Sequence, residues 1–154
     1  MLVFLLAIAC TGEVGGADSG GGGDDGGGEP NPDAPTILAL DVYCCNPAQG
    51  VEAWYWVLEA QVSDPQGNDT LADAGSDSGN EVNVLGSGGG GQPLAEYGAG
   101  FHCDDKGVCG TSWQQQADNI LCANADSYEI ELIVADEEGN QSKPDTVPGK
   151  QTDC

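Results

Sequence analysis

Arginine is absent from this chain, histidine occurs once and lysine three times, against 26 acidic residues, for a formal net charge of −23. Nucleic-acid binding depends on Lys and Arg neutralising phosphates, so this composition excludes it. Six of the acids precede Ala34, and the 20 that follow meet only Lys106, Lys143 and Lys150, a net of −17. Solubility and self-repulsion are the plain consequence of such charge; attraction for cations or a basic partner is the sharper one. Catalytic motifs are missing too. There is no GxSxG elbow, HExxH pair or phosphate-loop lysine. His102, hemmed by Cys103 and the pair Asp104-Asp105, suits a loop better than a general base. The glycine run at 86–91 has no following lysine, so it reads as a loop and not as a phosphate cradle.

Long apolar runs are also scarce. A membrane-spanning helix needs about 20 apolar residues, and the longest stretch after the N-terminus, residues 53–58, is far shorter. The start of the chain is different. Residues 1–9 are an apolar run ending in small residues, with no Lys or Arg before Lys106. A secretory signal ordinarily opens on a basic stretch, so we expect one upstream of Met1. Residues 11–34 are rich in glycine and acid, with Val14 the one large apolar side chain. Such a segment cannot bury enough surface to offset its conformational entropy, and it reads as a disordered tether. Its root-mean-square reach is roughly 25–30 Å.

Leu6-Ala7-Ile8-Ala9-Cys10 resembles a bacterial lipobox. The resemblance implies cleavage before Cys10, a diacylglycerol on its thiol and three acyl chains in the mature protein, where one chain would hold only marginally. Thr11, in the place of a retaining Asp, implies the outer membrane. The plainer alternative makes Cys10 an incidental thiol on a short apolar N-terminus. That alternative leaves the tether behind it without a purpose.

Beyond Cys10 stand Cys44, Cys45, Cys103, Cys109, Cys122 and Cys154. An even number in an exported chain implies disulfides, and six cysteines allow fifteen pairings. Neighbours on a strand point to opposite faces, so Cys44 and Cys45 should reach different partners. The loop between Cys103 and Cys109 carries Asp-Asp and Gly, which suits a turn closed by its own bridge. We therefore expect Cys103–Cys109, with Cys44 and Cys45 dividing Cys122 and Cys154. The rival, a zinc site of His102, Cys103, Cys109 and Cys122, lacks the knuckle spacing of structural zinc.

Residues 35–154 form one domain-sized segment, able to bury roughly two-thirds of its unfolded surface. Its periodicity is two. Trp54, Trp56, Leu58, Ala60 and Val62 alternate with Tyr55, Val57, Glu59 and Gln61; Tyr128, Ile130, Leu132 and Val134 alternate with Glu129, Glu131, Ile133 and Ala135. Both are half-buried strands. Further strands are expected at 36–43, 81–85, 94–102, 111–115 and 146–152, with a helical turn or two allowed only at 114–121. Short strands with Gly, Asp, Asn and Pro breaks predict an all-β sandwich.

Val62-Ser-Asp64-Pro-Gln-Gly67-Asn68 returns 72 residues later as Val134-Ala-Asp136-Glu-Glu-Gly139-Asn140. Asp bonds its own backbone two residues on, and Gly or Asn accepts the left-handed conformation a turn requires. With Asp126-Ser127-Tyr128 resembling a tyrosine corner, the pair is similar to strands B and F of immunoglobulin-like modules of the PKD-like, cadherin-like and fibronectin-III-like kinds. The vicinal cysteines, the insertion at 69–80 and the run at 86–91 depart from that pattern. The resemblance implies that both acidic turns share one pole, gathering Asp64, Asp69, Asp136, Glu137 and Glu138, with Asp73 and Asp77 nearby. Calcium takes six to eight oxygens, and Asp64, Asp69, Asp136 and Glu137 are the candidate ligands; a plain turn is the competing reading. Trp54 and Trp56 are expected in the core with Tyr55 outward, the alternative being aromatics exposed for sugar stacking. The functional expectation is a lipid-anchored, non-catalytic envelope module that binds an envelope protein or glycan or serves a structural role. A calcium- or carbohydrate-dependent adhesion module comes second and an envelope hydrolase third.

Overall fold

Alternation of apolar and polar side chains decides the strands, and the strands decide everything else. The computed structural model describes residues 31–46, 54–75, 78–87, 92–115 and 119–154. The apolar start, Cys10 and most of the tether lie outside the described residues, as do Asp77 and the glycines of 88–91. Eight strands follow in order: β1 (Thr36–Cys45), β2 (Tyr55–Ser63), β3 (Glu81–Gly86), β4 (Ala95–Glu96), β5 (His102–Cys103), β6 (Val108–Gln114), β7 (Tyr128–Ile133) and β8 (Asp145–Pro148). They form two four-stranded antiparallel sheets, ordered β1-β2-β6-β5 and β4-β3-β7-β8. The fold is the all-β sandwich that the alternation predicts. β2 and β7, the two strands that end in the repeated acidic turns, each lie inside their sheet, one in each sheet.

The core lies between the sheets. From β2 come Trp56, Leu58, Ala60 and Val62; from β3 Val82 and Val84; from β7 Ile130 and Leu132, with Val134 just beyond. Trp56 is fully buried and holds the two sheets together through its rings and its N–H. It stacks at 6.2 Å on Trp113 of β6, meets Tyr128 of β7 edge-on at 6.0 Å, and donates from Nε1 to the Ile120 carbonyl at 3.0 Å. Tyr97 covers Trp113 at 4.4 Å. Trp54, expected to share the buried face of this strand, instead precedes β2 and is only partly buried against the core.

Two expected strands are corrected. Residues 94–102 do not make one strand. They make β4 in one sheet and β5 in the other, joined by a 3-10 turn at Gly98–Gly100. The glycines allow the crossing, because a Cβ at Gly98 would run into the Asn80 carbonyl. Residues 146–152 end as a strand at Pro148; Gly149 passes so close to the Trp56 ring that a Cβ there would lie 2.9 Å from it. Beyond it, Cys44 N donates to Lys150 O at 2.7 Å and Thr152 N to Cys44 O at 3.0 Å, so the C-terminal segment runs parallel to the end of β1. The short 3-10 segment Cys122–Ser127, ahead of β7, was not expected.

The cysteines sit in three pairs, Cys44–Cys122, Cys45–Cys154 and Cys103–Cys109, with Cα separations of 5.6, 5.4 and 3.9 Å. They close loops of very unequal length, with partners 78, 109 and 6 residues apart. In the chain-entropy account, a bridge stabilises by about 4–5 kcal/mol for the two long loops and about 2 kcal/mol for the short one. Replacing Cys45 and Cys154 together by Ala should therefore lower the urea midpoint more than replacing Cys103 and Cys109 together. Equal shifts in equilibrium unfolding would contradict that order.

Candidate functional site

Two surfaces carry the side chains that the sequence singles out: the pole where the two acidic turns meet, and the outer face of the sheet built on β1, β2 and β6. At the pole, each turn is closed by its own aspartate. Asp64 Oδ1 accepts from Gln66 N at 2.7 Å, while Asp64 N donates to Asn68 Oδ1 at 3.0 Å. Asp136 accepts from Asn140 twice, at Oδ1 from the backbone N–H (2.8 Å) and at Oδ2 from Nδ2 (2.7 Å). Gly67 and Gly139 take positive φ, 118° and 84°, as the turn requires.

The turns touch. Glu137 N donates to Thr70 O at 2.8 Å, Gln66 Nε2 to Glu138 Oε2 at 3.2 Å, and Leu71 bridges Asp136. Asn80 joins them from within, giving Nδ2 to Ala72 O (3.1 Å) and accepting from Ala135 N (2.9 Å). Nothing in the sequence marked Asn80 beyond its place at the end of the insertion. Of the four candidate calcium ligands, Asp64 and Asp136 are buried while Asp69 and Glu137 are exposed. Among the described residues, no three His, Cys, Asp or Glu gather as metal ligands. Asp64 Oδ2 is buried without a hydrogen-bond partner. The zinc set is dispersed, since Cys122 pairs with Cys44 and Cys103 with Cys109. His102 is exposed, its Nδ1 3.5 Å from Gly100 O.

The outer face is different in character. Register places Tyr43 beside Val57 and Val57 beside Ser112; Cys45, Tyr55 and Gln114 form the next row, and Asp41, Glu59 and Gly110 the row on the other side. Tyr43, Cys45, Tyr55, Val57, Ser112 and Cys154 line a shallow depression of about 430 Å³. Both phenols are held by neighbours: Tyr43 donates to Glu59 Oε1 at 3.4 Å, and Gln114 Nε2 donates to the Tyr55 hydroxyl at 2.9 Å. Asp41 pairs with Lys150 at 2.6 Å. Glu59 has no cationic partner among the described residues. Sequence reasoning set Tyr55 outward but missed Tyr43, Glu59 and Gly110 as its companions, since only the register brings them together.

Comparison of the chain with family models, with curated proteins and with solved structures returns no match. The functional reading therefore rests on the residues themselves.

Partial burial raises the Tyr43 phenol above its ordinary value, and the charge and hydrogen bond of Glu59 and the charge of Asp41 add to the rise against Lys150. A phenol whose folded pKa is raised contributes stability that is present below its unfolded pKa and is lost as pH climbs through the folded value. Ultraviolet difference titration, with Tyr43→Phe identifying the signal, should place this midpoint above that of a free tyrosine. Glu59→Gln should bring it down. An unchanged midpoint in Glu59→Gln would show that the carboxylate does not act on this phenol.

Proposed function

We propose that this chain is a lipid-anchored, non-catalytic module of a bacterial cell envelope, carried on an acidic tether from Cys10. The observation that carries the reading is the cysteine inventory. Six of the seven cysteines lie in three pairs at disulfide distance, as an oxidising compartment outside the cytoplasm would produce, and Cys10 is the one left over. An anchor needs a thiol that the fold does not consume. Thr11 directs the reading to the outer membrane, on its periplasmic side or at the surface, with an envelope protein or glycan as partner. The sandwich presents sheet faces and turns, which are binding or structural surfaces. Expressed with a complete signal, the chain should incorporate a palmitate analogue and lose the label in Cys10→Ser, whose disulfides stay intact by non-reducing mass spectrometry. Retention of the label in that variant would defeat the anchor.

A second reading, calcium-dependent adhesion, is favoured by one observation, the unpartnered buried oxygen of Asp64. On it, millimolar calcium raises the melting temperature of the protein and not that of Asp64→Asn. An unshifted transition in the unmodified chain removes it.

A further inference from the structure

The outer face at Glu59 combines three properties. It has an apolar floor, a carboxylate without a counter-ion and an open lane beside that carboxylate. The floor is Tyr43, Tyr55 and Val57, extended on the other side of Glu59 by Val108, which is 55% exposed. Directly across from Glu59 stands Asp41, like charges at one register position, an arrangement that disfavours folding. Lys150 answers Asp41 alone. On the opposite flank Glu59 faces Gly110, which contributes no side chain between Val108 and Ser112, and the exposed His102 of β5 stands beyond it in the same row.

We infer that this face docks a basic, extended segment of a partner protein, with a Lys or Arg side chain laid along the Gly110 lane against Glu59, its apolar stem beside Val57 and Tyr43. A long cationic side chain meets both demands of the surface, since its methylene stem covers apolar rings while its head pairs with the carboxylate. A cation over a tyrosine face gains further attraction. Charge complementarity selects this occupant. The segment from Pro35 on carries 20 acids against three lysines, so an acidic partner is repelled and a basic one is steered in. Glu59 and Asp41 add to the rise that burial causes in the Tyr43 phenol, against Lys150.

The inference rests on the reading of the chain as a binding module, and not on its anchor. The test uses the full chain in lipidated form in detergent and as Cys10→Ser in buffer, so failure of anchoring and failure of docking register separately. The probe is a capped synthetic heptapeptide alternating valine with lysine or arginine, compared with a version carrying glutamine at each basic position and with a cello-oligosaccharide. Amide shifts on adding the basic peptide should centre on Tyr43, Val57, Glu59, Gly110 and Ser112. Glu59→Gln should weaken binding by about five-fold or more, and Glu96→Gln, on the opposite sheet, by less than about two-fold. Equal losses in the two variants would mean diffuse attraction to an acidic chain and overturn the site. Shifts at the tyrosines with the oligosaccharide or the glutamine peptide and not with the basic peptide would overturn the occupant. No shift with any probe would overturn both.

Discussion

Side chains on a strand alternate in direction, and at Cys44-Cys45 that alternation sets how the two sheets are held together. Cys44 faces inward and is fully buried; its partner Cys122 stands just ahead of β7, in the opposite sheet. Cys45 faces outward, and its partner Cys154 ends the segment that follows β8. One dipeptide therefore ties the edge strand of the first sheet both to the centre and to the edge of the second. The backbone adds to the tie, with hydrogen bonds on either side of Cys44 to Lys150 and Thr152. A domain this acidic repels itself in the compact state. Bridges that restrict the unfolded chain act against that repulsion without requiring a larger core.

The acids are placed where repulsion costs least. Most stand in turns or on outward faces, and the buried polar groups are nearly all bonded. Asp136 spends both oxygens on Asn140, Asn80 joins two backbone segments, and Ser142 accepts from Val134 N at 3.0 Å. Each aspartate of the repeated turn thus has a structural occupation close at hand. Glu59 is the contrast, outward, beside a second carboxylate and answered by no cation.

Much of this was legible in the sequence because it follows from period two and from turn chemistry. Trp56, Leu58 and Val62 announced their buried face, as did Ile130 and Leu132, and the V-x-D-x-x-G-N echo announced two turns. What stayed hidden depends on partners distant in the chain. Residues 94–102 carry strand-forming side chains, yet the Asn80 carbonyl approaching Gly98 and the change of sheet between Glu96 and His102 break them in two. Asn80 has no local pattern to betray that it bonds Ala72 and Ala135. The Glu59 face exists only through the registers of β1, β2 and β6, since Tyr43, Glu59 and Gly110 belong to three separated strands. Sequence shows which way a side chain faces along its own strand. It does not show what stands beside it across the sheet.

The entry point of the chain gives these surfaces an orientation under the proposed anchoring. β1 begins at Thr36, paired with Ser63 at the end of β2, and Asn31 donates to Asn140 Oδ1 at 2.9 Å. The tether therefore joins the domain at the pole of the two acidic turns. Under the proposed anchoring that pole would be the nearer one to the lipid, where anionic headgroups would repel Asp69, Glu137 and Glu138. Tyr43 and Tyr55 lie toward the other end, because β1 finishes and β2 starts there. Under the proposed anchoring, Glu59 stands midway along the sheet and the tyrosines mark the end of its face farther from the point where the chain enters.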